Sequence, residues 1–131
     1  MSAVIDASVA VAAVADSGAA GDWAGQVIAA GALVAPQLML VEATNILRRL
    51  ERARRLARSE STAAQRDLLS LDVDLAPFHP FAARVWALRH DLTSYDAWYV
   101  AVAEELSLPL ATLDGRLVRA NGPTCRFLVP A

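Results

Sequence analysis

The stretch SYDAWYVAVAEELSLPLATLD, residues 94–114, joins a helix-forming segment directly to a strand-forming segment. Residues 94–106 are mostly alanine, valine and aromatic residues, a composition that predicts a helix packed against a core. LPLATLD (108–114) predicts a short buried strand. Helices that alternate with buried strands are the building units of a parallel sheet, so this stretch favours an α/β fold.

The rest of the chain repeats this alternation. Further strands are predicted at 3–6, 32–36, 72–77 and 125–130, and further helices at 8–15, 20–30, 37–54, 59–71, 79–90 and 115–120. Ser8 is the candidate N-cap of the first helix, and a serine also opens the helix at 59. The order predicts a parallel sheet covered by helices on both faces, in a single domain over residues 1–131.

Composition excludes several classes of protein. No apolar run approaches the ~18 residues of a transmembrane helix, and the N-terminal segment contains Asp6 and no basic region, which argues against a signal peptide and for a cytoplasmic protein. The single cysteine, Cys125, cannot pair within the chain. The net charge is −2, yet RRLERARRLAR (48–58) holds six of the twelve arginines. This segment is either a solvated helix end or an edge that contacts phosphates.

Four carboxylates fall near the predicted element boundaries. Asp6 ends the first strand and Asp114 the fourth, Glu42 lies in the second turn after the second strand, and Asp96 opens the helix before the fourth. Because sites in such sheets lie outside the carboxyl ends of the strands, we expect the four side chains at one rim. Simpler interpretations also exist: helix caps or turns for Asp6, Asp96 and Asp114, and solvent exposure for Glu42.

The surroundings of two of these acids favour burial. Glu42 is predicted on the apolar helix face that includes Ile46, with Asn45 near enough to hydrogen-bond it. Asp96 lies on the shoulder of an aromatic stripe within residues 95–106, which we expect to face the core. Converging buried carboxylates repel one another, and the chain contains no lysine to pair with them. A hard divalent cation such as Mg²⁺ or Mn²⁺ would relieve this repulsion, because it takes oxygen ligands.

Four blocks of sequence together resemble a known family. These are VIDASV (4–9), VEATNIL (41–47), LTSYDAWYVAVAEEL (92–106) and LATLDGRLVRA (110–120). In order and spacing they resemble the PIN-domain ribonucleases, most closely the VapC-like toxins of bacterial type II toxin–antitoxin pairs. The resemblance implies a three-layer α/β/α PIN-like fold with a five-stranded parallel sheet.

The resemblance also implies a site. Asp6, Glu42, Asp96 and Asp114 match the acidic quartet that binds Mg²⁺ or Mn²⁺ in the family and carries its catalysis. Ser8 and Thr112 match small hydroxyl residues that line the site, and Asn45 matches a polar residue beside the helix acid. Arg116, next to Asp114, is either a contact for a phosphate or an antitoxin, or a surface residue at a helix start.

The activity implied is metal-dependent hydrolysis of RNA, with tRNA or ribosomal RNA as substrates, leaving a 5′-phosphate and a 3′-hydroxyl. The partners implied are a cognate antitoxin, which inserts a peptide into the active-site groove, and a second copy of the chain. Two alternatives remain open at this stage: a non-catalytic RNA- or protein-binding module on the same fold, and a small Mg²⁺-dependent phosphatase. Retention of all four acids favours the nuclease.

Overall fold

A single parallel sheet forms the centre of the molecule, and the computed structural model describes all of residues 1–131. The strands are β1 (Ala3–Ile5), β2 (Leu33–Pro36), β3 (Val73–Ala76), β4 (Leu110–Ala111) and β5 (Phe127–Leu128). Their order in the sheet is β3-β2-β1-β4-β5, and every neighbouring pair is parallel. The predicted five-stranded parallel sheet is therefore confirmed.

Helices cover both faces of this sheet. They are α1 (Ala7–Ala15), α2 (Ala19–Ala29), α3 (Leu38–Arg52), α4 (Arg58–Leu69), α5 (Ala82–Ala87), α6 (Ser94–Leu106) and α7 (Gly115–Arg119). α1 packs against α2, α3 and α4 to form one layer, while α5 packs on α6, which crosses β1, β2 and β4. Right-handed crossovers account for the two layers, because the chain moves across the sheet first in one direction and then in the other. No helix combines the length and the apolar character needed to cross a membrane.

Most predicted boundaries hold to within two residues, and the exceptions lie where local hydrogen bonds intervene. The segment predicted as one helix over 79–90 is a 3-10 turn at His79–Phe81 followed by the short α5, with Pro80 inside the turn. The strand predicted over 108–114 pairs only at Leu110–Ala111. Beyond it, the side chains of Ser8 and Thr112 accept the backbone N–H groups of Leu113 and Asp114, at 3.1 and 2.9 Å.

Two predicted helix caps were wrong. Asp6, not Ser8, is the N-cap of α1, since its Oδ1 accepts the backbone N–H of Val9 at 3.1 Å. The helix predicted to open with a serine cap begins instead at Arg58. There the side chain of Glu60 accepts the backbone N–H of Ala57 at 2.8 Å. In α1 a carboxylate occupies the N-cap position, for which it is as well suited as a hydroxyl. In α4 the N-cap is Ala57, and Glu60, three residues later, bonds back to it.

The face of α6 that packs on the sheet includes the centre of the predicted aromatic stripe but not its two ends. Its fully buried residues are small or β-branched, together with one aromatic: Ala97, Tyr99, Val100, Ala101, Val102 and Ala103. Tyr95 is 60% exposed and Leu106 46% exposed, so the stripe prediction was wrong at both ends. Alanine and valine let the helix axis approach the sheet closely, which places the bulky residues at the flanks of the contact.

A charged cluster fastens the loop before β5 to the helical layer. Arg84 of α5 donates two hydrogen bonds to the carboxylate of Glu104 on α6, at 2.6 and 3.1 Å, and one to the carbonyl of Gly122 at 3.0 Å. Glu104 also accepts the backbone N–H of Thr124 at 2.7 Å. Burial raises the pKa of Glu104, but these hydrogen bonds outweigh burial and hold the pKa below its usual range.

Candidate active site

The sheet topology creates a crevice beside the central strand. From β1 the chain crosses to β2 on one side, whereas β4 lies on the other side and leads outward to β5. Such a switch point leaves space outside the carboxyl ends of the two central strands. Asp6 is the first residue after β1, and Thr112 is the first after β4. The two residues that the chain places at this crevice are therefore both candidates from the sequence.

Asp6 is buried and bound on both of its carboxylate oxygens, with only 8% of the residue exposed. Oδ1 accepts from the hydroxyl of Ser8 at 2.5 Å in addition to the N–H of Val9. Oδ2 accepts from the hydroxyl of Thr112, 106 residues away. Burial raises the pKa of this carboxyl, and the hydrogen bonds only partly counteract it.

The two hydroxyl residues join the ends of β1 and β4. Thr112 is fully buried, and besides donating to Asp6 it accepts the N–H of Asp114. The Ser8 hydroxyl accepts the N–H of Leu113 at 3.1 Å. Asp114 in turn caps α7 by accepting the N–H of Arg116 at 3.0 Å. The capping roles considered for Asp6 and Asp114 are thus real, and they place both carboxylates at the same end of the sheet.

Glu42 reaches the crevice from α3 and is half-buried. The hydroxyl of Tyr99 donates a 2.6 Å hydrogen bond to its Oε1. The expected contact with Asn45 was wrong, because Asn45 is exposed and forms no hydrogen bond with Glu42. The buried face of α3 runs through Met39, Ala43 and Leu47, so Glu42 lies beside the apolar stripe and not within it. Burial raises the pKa of Glu42, as do the charges of Asp96 and Asp6.

Asp96 lies in the first turn of α6 and is half-buried. Thr93 is the N-cap of this helix, and its hydroxyl accepts the N–H of Asp96 at 3.2 Å. Burial raises the pKa of the Asp96 carboxyl, and the nearby charges of Asp114 and Asp6 raise it further. Thr93 therefore caps the helix, whereas the carboxylate of Asp96 does not bond back to Thr93 and lies inside a group of mutually repelling acids.

The four acids form one electrostatic group with oxygen donors only. Asp96 interacts with Asp114 and Asp6, and Glu42 interacts with Asp96 and Asp6. The cation next to them, Arg116, has a 90% exposed side chain whose Nε lies 3.8 Å from Oδ1 of Asp114. As they stand, no three His, Cys, Asp or Glu side chains are arranged to hold a metal ion. In donor chemistry the group fits a hard divalent cation, since clustered carboxylates repel one another and gain from added positive charge.

The raised pKa values predict a stability that depends on pH in the absence of metal. Because the folded state holds a proton on Asp96 more tightly than the unfolded chain, whose value is near 3.8, stability is lost as the pH rises through the folded-state pKa. Asp96→Asn cannot titrate. We expect this variant to match the native chain in thermal unfolding at about pH 4 and to be the more stable of the two at about pH 7, with a chelator present. If the two proteins differed in unfolding temperature by the same amount at both pH values, this prediction would be wrong.

A groove beside the acids is the main feature that the sequence did not predict. It has a volume of about 430 Å³ and lies between α1, α3 and the segment after α3. Most of its lining is apolar, including Val11, Ile46 and Leu50, while Ser8 adjoins the acids and Arg55 adds a charge. All six arginines of segment 48–58 are exposed, and none forms an ion pair. The groove therefore runs from Ser8, a hydrogen-bond partner of Asp6, to the exposed Arg55, and its lining also includes Asp16.

Tyr99 was also missed as a site residue, since its ring was interpreted only as core. The signal was available: a tyrosine in a buried helix needs a partner for its hydroxyl, and this one lies a single turn after Asp96. Burial is the main cause that raises the pKa of Tyr99, and the hydrogen bond to Glu42 raises it further. The hydroxyl therefore keeps its proton and acts as a donor.

Comparison with known proteins places this arrangement in a family. The model of the PIN domain family matches residues 3–123. Ribonuclease VapC9 of Mycobacterium tuberculosis (strain ATCC 25618 / H37Rv) is 37% identical over 126 residues, which cover 96% of this chain and 96% of that protein.

Solved structures agree with the fold. The crystal structure of Mycobacterium tuberculosis VapC20, described as a toxin that cleaves the sarcin–ricin loop, superposes with a TM-score of 0.64. It is 21% identical, and the match covers 88% of this chain and 92% of that one. A chain of Rickettsia felis VapBC2, solved with a DNA fragment of its promoter, superposes with a TM-score of 0.68 at 12% identity, covering 98% of both chains. At these identities the likeness concerns the fold.

Proposed function

Because this chain belongs to the PIN-domain family and is similar along nearly all its length to VapC ribonucleases, we propose that it is an endoribonuclease toxin of a type II toxin–antitoxin pair. It hydrolyses phosphodiester bonds of RNA, with tRNA or ribosomal RNA as substrates, in the cytoplasm. The observation that carries the proposal is the convergence of Asp6, Glu42, Asp96 and Asp114 at the carboxyl ends of β1 and β4.

The acids are proposed to hold Mg²⁺ or Mn²⁺. Bound there, the cation would supply an activated water and neutralise the charge that develops on the phosphate. The chain itself contributes a rigid frame. Asp6 is held by three donors, Asp114 is fixed at the start of α7, and Asp96 is fixed at the start of α6. The site contains no histidine, so the residues that orient a water for attack are the carboxylates.

Attraction of the substrate needs local positive charge, since the whole chain is slightly acidic. Arg116 projects into solvent next to Asp114 and is placed to meet a phosphate of the RNA at the acidic group. The six arginines of segment 48–58 are exposed, and one of them, Arg55, lines the groove. We propose that they contact the RNA backbone on one side of the cleaved bond. Asn45, exposed on α3 near Glu42, is proposed to contact the RNA as well.

The same groove supports an inhibitory protein partner. Its apolar walls and its opening at Ser8 suit a peptide of an antitoxin that would cover the acids while it is bound. We also propose a homodimer, which the resemblance to VapC-like toxins implies. Light scattering on the purified chain measures the dimer directly.

Cleavage of RNA in the presence and absence of metal tests the proposal. Total RNA incubated with the purified chain and Mg²⁺ or Mn²⁺ should yield new fragments bearing 5′-phosphates and 3′-hydroxyls. Excess chelator should remove this activity, and added metal should restore it. Binding of RNA without cleavage, unaffected by chelator, would favour the non-catalytic module instead. Turnover of a phosphomonoester with intact RNA would favour the phosphatase.

A further inference from the structure

A buried tyrosine bridges the two helical layers at the acidic group. Tyr99 belongs to α6, and its hydroxyl donates to Oε1 of Glu42 on α3 across 57 positions of the chain. The helices lie on opposite faces of the sheet, since α3 packs with α1 and α4 whereas α6 packs with α5. The hydroxyl therefore reaches past the ends of the central strands to the other layer.

The bridge ties the position of one acid to that of another. Tyr99 is only 2% exposed, so its ring is immobilised by the core. It lies one turn after Asp96 on the same helix. Glu42, in contrast, has a long side chain, is half-buried and accepts no other side-chain hydrogen bond. The distance between Glu42 and Asp96 thus depends on a contact from the helix that carries Asp96.

We propose that Tyr99 is a positioning residue that prepares Glu42 to bind a divalent cation. It holds the carboxylate beside Asp96 and Asp6, and it occupies one oxygen so that the other remains for the cation. Partners that hydrogen-bond to a ligand in this way orient it and maintain its affinity for metal. This inference rests on the proposed function, because it assumes that the acidic group binds a metal.

A purely structural role for the hydroxyl makes a different prediction. A buried tyrosine gains a partner for its polar tip whether or not that partner is a ligand. In that case removal of the hydroxyl would lower the unfolding temperature and leave the affinity for metal unchanged. If Tyr99 positions Glu42, removal of the hydroxyl weakens the binding of metal even where the unfolding temperature changes little.

Tyr99→Phe separates these cases, because it keeps the buried ring and removes only the hydroxyl. Titration calorimetry with Mn²⁺ should show binding weaker by about tenfold or more, in the range typical for loss of a partner of a metal ligand. Tyr95→Phe is the matched control: this tyrosine is on the same helix, is 60% exposed and forms no hydrogen bond through its hydroxyl. We expect the control to bind Mn²⁺ as the native chain does. Thermal unfolding of both variants checks the fold.

A second measurement needs no change at Tyr99. The chain has two tyrosines, so protein labelled at tyrosine Cζ gives two carbon resonances, and the one that persists in Tyr95→Phe belongs to Tyr99. Mg²⁺ should shift the Tyr99 resonance, since Glu42, which accepts the hydrogen bond from Tyr99, would then bind the metal. A resonance that is unchanged at saturating Mg²⁺ would contradict the proposal even if Tyr99→Phe failed to fold.

The outcomes distinguish this inference from the function beneath it. If the native chain binds Mn²⁺ and cuts RNA but Tyr99→Phe binds Mn²⁺ equally well, the positioning role is wrong and the proposed function stands. If the native chain binds no Mn²⁺ and cuts no RNA, the proposed function is wrong, and the positioning role with it.

Discussion

Replacing Asp6 with asparagine is expected to abolish RNA cleavage while leaving the fold at least as stable as before. The change removes the charge of the most buried of the four acids. Loss of a partner of a ligand already costs roughly 10–100-fold in activity, so loss of a proposed ligand should cost at least about 100-fold. Initial rates of fragment formation on one RNA, with Mg²⁺ saturating, measure this.

The fold should survive because asparagine retains the helix cap, although its Nδ2 replaces the oxygen that accepts from the hydroxyl of Thr112. The side-chain oxygen of asparagine can still accept the N–H of Val9 and cap α1, as asparagine caps helices about as well as aspartate. The unfavourable burial of a charge also disappears. We therefore expect an unfolding temperature equal to or above that of the native chain. Asp22→Asn, at an exposed acid of α2, is the control and should cleave at the native rate. Cleavage by Asp6→Asn within a few fold of the native rate would count against a role for Asp6.

Gly21→Ala is expected to have the largest effect on stability. Gly21 is buried where α2 crosses the end of α1, and a Cβ atom added there would lie 1.8 Å from the carbonyl oxygen of Asp16. Backbone atoms cannot move aside as the tip of a side chain can. We expect a loss of about 3 kcal/mol in the free energy of unfolding, at the upper end of typical overpacking. Urea unfolding measures it.

Gly25→Ala provides the matched control within the same helix. Gly25 is exposed, and an added Cβ would meet nothing within 4 Å. Alanine is the better helix former, so this change should raise the free energy of unfolding by about 0.5–1 kcal/mol. If Gly21→Ala lowers the free energy of unfolding and Gly25→Ala raises it, the loss is due to the close approach of α1 and α2 at Gly21. Equal effects would mean that the close approach at Gly21 is relieved at no cost.

The order of elements could be predicted because it depends on local patterns. Alternating apolar segments predict a parallel sheet, and the rule for the carboxyl ends of strands then brings Asp6 and Asp114 to one edge. The capping residue of α1 could not be chosen from spacing alone, since Asp6 and Ser8 are both good caps and only the end of β1 decides between them.

Other features depend on packing between distant segments. On α6 the sequence offers both an aromatic face and an alanine face, and hydrophobicity favours the aromatic one. The buried face combines Tyr99 and Val102 of the aromatic stripe with alanines that permit a close approach, and it leaves Tyr95 outside. The sequence indicates that the buried hydroxyl of Tyr99 needs a partner, but it could not identify Glu42 as that partner. The hydrogen bond joins helices on opposite sides of the sheet, and their packing is not a local pattern.

The hydrogen bond between Asp6 and Thr112 has a consequence for the cell that makes this protein. Domains fold as they emerge from the ribosome, beginning at the N-terminus. Here the first strand is the central one, and its partner β4 is made long afterwards. While residues 43–95 are being made, a growing chain therefore carries Asp6 and Glu42 without Asp96, Thr112 or Asp114 to complete the crevice. We therefore expect a nascent chain to cleave no RNA until β4 has been made.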